Sequence, residues 1–118
     1  MRVQLEAQTL RLRVDEAELA QLLSGSVTEN RTQLPDGRTE IQQLQLAASP
    51  HWQRNDATWL IGLPEWEVRA LSERLPSREG LQFDLPTPSG GTLQVLFDVD
   101  VRDSTRRRMH KSSEGDAS

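Results

Sequence analysis

The order of segments in this chain is used twice, and that repetition limits the fold more than any other feature. Leu10-Arg11-Leu12-Arg13-Val14-Asp15 alternates like a strand and runs into a helical pattern. Gly25 follows, then two extended segments around Leu34-Pro35-Asp36-Gly37. Trp59-Leu60-Ile61-Gly62-Leu63-Pro64 is again a strand leading into a helix, ended by Pro76, with two extended segments around Pro86-Thr87-Pro88-Ser89-Gly90-Gly91. A strand–helix–hairpin unit over residues 8–48 and 57–101 predicts one α+β domain with approximate internal symmetry.

Local chemistry supports each element. Val3 and Leu5, then Leu10, Leu12 and Val14 after a short polar turn, read as a hairpin with one buried face. Asp15 and Glu18 have the spacing of a helix N-cap and its reciprocal partner, while Val14 and Leu19 form a hydrophobic staple. Leu19, Leu22 and Leu23 make one apolar stripe, and Gly25 suits the left-handed turn that closes a helix. Pro64 fits the first turn of the second helix, where its missing N–H costs nothing. Val68, Leu71 and Leu75 share a face of that helix. Pro35-Asp36-Gly37 is a strong turn signal. Ser49 to Asp56 reads as a polar connection. Leu81, Phe83 and Leu85, then Leu93, Val95, Phe97, Val99 and Val101, give the last two strands. The expected architecture is a curved, mainly antiparallel sheet of about seven or eight strands with two short helices.

Composition narrows the function classes. A chain of 118 residues suits one core without staples. The absence of Cys removes disulfides, thiolate metal sites and a cysteine nucleophile. No apolar run resembles a signal peptide or a membrane span, so a cytoplasmic protein without membrane attachment is expected. Residues 1–101 hold nine Arg against fifteen acidic side chains, a balance of −6, whereas residues 102–118 carry +2. An acidic body argues against nucleic acid, which requires clustered cations. Residues 1–101 are expected to form the domain. Residues 102–118 lose all periodicity and read as a disordered tail, basic at first and then Ser-, Gly- and acid-rich.

Few side chains form a chemical constellation. His51 and His110 stand alone, without the convergent partners of a metal or acid–base site. Asp98 and Asp100 share one face of a strand and could serve a small metal-dependent hydrolase, against the plainer reading of a water-facing surface. The run from Arg102 through Arg106, Arg107 and Arg108 to Lys111 could touch nucleic acid, against the reading of a solvated tail. Trp52, in the connection, and Trp66, in a first helical turn, are the candidate interaction surface. Core packing or cover of a helix end competes with that role. Trp59 is expected in the core.

Arg2-Val3-Gln4-Leu5 followed by Leu10-Arg11-Leu12-Arg13-Val14 resembles the opening of a family of small uncharacterised bacterial proteins, a domain-of-unknown-function class. The resemblance continues through Trp59–Pro64 to Leu93–Asp98. In that family the last strand often ends in an acidic-Phe-x-Cys-Leu segment, where this chain has Phe97-Asp98-Val99-Asp100-Val101 and no Cys. The resemblance implies a fold and a bacterial origin, and it supplies no catalytic residue. The resulting expectation is a non-enzymatic module without cofactor or metal, acting on a protein partner or by self-association.

Overall fold

The computed structural model describes residues 1–101, so the Arg102–Lys111 run, His110 and the expected disordered tail lie outside the described residues. The chain runs β1 (Arg2–Glu6), β2 (Thr9–Asp15), α1 (Glu16–Leu23), β3 (Thr28–Gln33), β4 (Thr39–Ala47), β5 (His51–Asn55), β6 (Thr58–Pro64), α2 (Glu65–Glu73), β7 (Leu81–Pro86) and β8 (Thr92–Asp100). This is an α+β domain. Its strands divide between two four-stranded sheets, β1-β2-β8-β7 and β3-β4-β6-β5, which corrects the expectation of a single sheet. Four ladders are antiparallel, and the two central ones, β2 with β8 and β4 with β6, are parallel. Each helix carries the chain from one sheet to the other, so each sheet takes one hairpin from either half of the sequence.

The two halves use matching registers. Adding 49 to positions in β1 and β2 turns the pair Arg2↔Arg13 into His51↔Gly62. Adding 53 to positions in β3 and β4 turns Thr28↔Leu44 into Leu81↔Phe97. The central parallel ladders follow the same rule, since Thr9↔Gln94 corresponds to Thr58↔Ile41. Turns agree as well. Gly37 and Gly90 have φ of 89° and 92°, and their N–H groups bond back to the carbonyls of Leu34 and Thr87. Ala7 and Asp56 open the two-residue hairpin turns at φ of 50° and 58°. These registers are compatible with the repeat read from the sequence, extended at the start of each unit by one further strand.

That further strand is a second correction. The segment read as a polar connection contains β5, so Trp52 sits in a strand rather than a loop. Its sequence His-Trp-Gln-Arg-Asn lacks apolar alternation because β5 is an edge strand and largely exposed. Pro64 ends β6 and occupies the N-cap position of α2, one residue earlier than its expected place.

Helix α1 begins as its sequence specifies. Asp15 Oδ1 accepts from the Glu18 N–H at 2.7 Å, and Glu18 Oε1 accepts from the Asp15 N–H at 3.0 Å. Gly25, at φ 92°, closes the helix and donates to the Leu22 carbonyl. The core gathers Leu10, Leu12 and Val14 of β2, Leu19 and Leu22 of α1, and Leu44 of β4. Ile61 and Leu63 of β6, Val68 and Leu71 of α2, Phe83 of β7, and Val95 and Phe97 of β8 complete it. None of the helices among the described residues is long and apolar enough to cross a membrane.

Candidate functional site

An apolar cleft of about 470 Å³ lies between the start of β5 and the β7–β8 hairpin. Pro50, His51 and Trp52 form one wall. Leu85, Pro86, Thr87, Pro88 and Leu93 form the other. The volume falls within the range of small-ligand and side-chain pockets. Trp52 is 37% exposed, so a large aromatic surface remains open to an incoming group.

Alternation along the strands decides which side chains reach the cleft. Trp52 pairs across the ladder with Ile61 and Arg54 with Trp59, which places all four on the core-facing side of their sheet. Trp52 packs edge-on against Trp59, with ring centroids 5.7 Å apart and planes at 66°. The Arg54 guanidinium carbon lies 5.4 Å from the Trp59 ring centroid, a cation–π arrangement. Glu40 Oε2 approaches Arg54 Nη1 at 4.0 Å. Trp52 is therefore the outer member of a row held by Trp59, Arg54 and Glu40. The buried Trp59 Nε1 and Glu40 Oε2 have no hydrogen-bond partner among the described residues. Trp59, expected in the core, lies at its margin, partly buried against it.

The cleft is not duplicated in chemistry. Under the register equivalence, Trp52, Leu85 and Leu93 correspond to Val3, Thr32 and Glu40. Nearby, Asn30 donates to Gln42 Oε1 at 2.9 Å, where the other half has Phe83 and Val95. One hairpin thus presents apolar side chains inward and its counterpart presents amides.

The remaining candidates are dispersed. Trp66 is 70% exposed at the start of α2 and does not line the cleft. His51 lies over Gly62, its Nδ1 3.3 Å from the Ser49 carbonyl oxygen. Asp98 and Asp100 do share the face opposite Phe97, but both are half-buried rather than fully water-facing. The cause at Asp98 is Gly80, whose backbone lies directly against it. Arg13 stands opposite Asp98 and Asp15 opposite Asp100 in the parallel ladder. Among the described residues, no group of three His, Asp or Glu side chains is placed to hold a metal ion. On the outer face, Arg31 and Gln43 bond to the Glu29 carboxylate at 2.7 and 3.2 Å and hold its pKa below the usual range, Arg31 contributing most.

Sequence reasoning found Trp52 but missed its partners. The signal lay in the Leu85-Pro86 and Leu93 positions, apolar at the mouth of a turn where the first half carries Thr32 and Glu40. The chain matches no protein-family model and no curated protein.

Proposed function

We propose that this protein is a non-enzymatic binding module that captures an extended segment of a protein partner along β5, with an apolar side chain entering the Trp52 cleft. The observation that carries this reading is the location of an open, apolar, proline-rimmed cleft at a sheet edge that no other described strand pairs. Asn55 and Thr58 flank a two-residue turn, so alternation directs the backbone groups of His51 and Gln53 to β6. The N–H and C=O groups of Trp52 and Arg54 then face outward. An added strand would bond to those groups, and its alternate side chains would meet Trp52, Leu85 and Leu93. Trp supplies large contact area at little entropic cost. The same reading retains the resemblance to small bacterial proteins and a cytoplasmic setting as working assignments.

The test is selection of peptides from a random display library against the full chain, followed by affinity measurements. Peptides with alternating apolar residues that lose affinity on Trp52→Ala and Leu93→Glu, but not on Trp66→Ala, support the reading. Selected peptides that bind all variants equally, or the selection of none, would overturn it.

A further inference from the structure

β1 is the other leading edge strand, equivalent in register to β5, and its sequence is complementary to itself. Arg2-Val3-Gln4-Leu5-Glu6, run antiparallel against a second copy about Gln4, sets Arg2 opposite Glu6 and Val3 opposite Leu5 in both directions. We propose that this edge joins two copies of the chain through β1, making one continuous eight-stranded sheet.

The backbone is arranged for that register. Glu6 and Thr9 flank the two-residue turn at Ala7 and Gln8, so Arg2, Gln4 and Glu6 direct their N–H and C=O groups to β2. Val3 and Leu5 present theirs at the open edge. In the register centred on Gln4, those residues face each other and close four N–H···O bonds. The side chains agree with the backbone. Val3 and Leu5 lie on the core-facing side, opposite Leu12 and Leu10 of β2. Leu5 is nevertheless 60% exposed, because among the described residues no strand covers the sheet beyond β1. The second copy's Val3 would cover it.

Charge selects this register over its neighbours. Arg2 and Glu6 form no ion pair with another described residue. A shift by two residues either way sets Arg2 against Gln4 or Gln8 and loses both interchain pairs. A shift by one carries Val3 and Leu5 to the wrong face. Exposed edges lacking such complementarity are normally protected by unmatched charge. Here the charges match when the strand meets itself. One five-residue strand buries less than a standard interface, so the dimer should be weak and concentration-dependent.

Sedimentation velocity of the full chain, from micromolar to millimolar concentration, tests the proposal. The wild type should pass from monomer to dimer, and Leu5→Lys and Arg2→Glu should each raise the dissociation constant by about tenfold or more. Arg2→Glu combined with Glu6→Arg should restore it, because the swapped strand is again self-complementary. All three positions altered are exposed, and melting at low concentration checks that each variant folds. A monomer at every concentration overturns the proposal. So does a dimer indifferent to Leu5→Lys, or a charge swap that fails to rescue. Trp52→Ala should leave the dimer intact, which separates this interface from the partner cleft.

Discussion

The imidazole of His51 occupies the space that a side chain at Gly62 would need. A Cβ at position 62 would lie 2.2 Å from His51 Cε1 and 2.4 Å from Nδ1. The two residues are directly paired between β5 and β6, on the face opposite Trp52 and Ile61. Histidine and glycine thus form one packing unit at the first pair of the β5 edge, and the ring's position over β6 depends on the missing side chain.

That relationship yields a coupled expectation. Gly62→Ala should cost about 1 kcal/mol, the low end for overpacking, because a surface ring can swing aside. In a His51→Ala background the same substitution should cost almost nothing. Denaturant melts of the four proteins give the coupling directly. Strictly additive costs would show that the ring does not fill that space in solution.

Gly80 should behave differently because its obstacle is rigid. A Cβ there would meet the Phe97 carbonyl oxygen at 2.2 Å and Asp98 Oδ1 at 2.3 Å. Phe97 lies in a central strand, hydrogen-bonded on both sides, and cannot withdraw. Gly80→Ala should therefore cost about 1–3 kcal/mol. Gly91→Ala, whose nearest neighbour would be Thr87 Oγ1 at 3.5 Å, should stay within about 0.5 kcal/mol. Equal losses at the two glycines would mean that the 74–80 connection does not press on β8.

Local signals carried the elements that the sequence made legible. The Asp15–Glu18 box, the Gly25 stop and the Leu10–Val14 alternation each act within a few residues, and each appears in place. The division into two sheets did not show, since alternation reveals which face of a strand is buried but not which strand lies beside it. The pairings of Leu12 with Phe97 and Leu44 with Ile61 join residues from opposite halves, and no short-range pattern encodes them. β5 escaped because an exposed edge strand places no demand on apolar periodicity. The cleft was half legible: Trp52 was visible as an exposed anchor, whereas Leu85 and Leu93 reached it only through the fold.

Helix α1 offers a comparison of a cap with a core contact. Asp15→Ala removes the acceptor for the Glu18 N–H and should cost on the order of 1 kcal/mol. Leu22 is fully buried on a helix that packs against strands of both sheets, and Leu22→Ala should cost about 2–5 kcal/mol. Equal small effects in denaturant melts would mean that α1 is not packed as described.

Asp98 and Asp100 decide between a binding module and a metal-dependent enzyme. They alternate along β8 on the face away from Phe97 and Val99, and both are half-buried. Calcium takes six to eight oxygen ligands and magnesium six, and tight binding without a substrate to complete the shell draws several of them from protein groups held at one centre. The ladder sets Arg13, a cation, opposite Asp98, and among the described residues no third His, Asp or Glu completes a ligand group. Calcium or magnesium at millimolar concentration should therefore leave the melting temperature unchanged, because a ligand raises it only by binding the folded state at concentrations comparable to or above its dissociation constant. Asp98→Asn with Asp100→Asn should still fold and should keep whatever peptide affinity the Trp52 cleft provides. A metal-dependent rise in melting temperature that vanishes in the double variant would reverse the order of the two readings, moving the chemistry to β8 and leaving the cleft as packing.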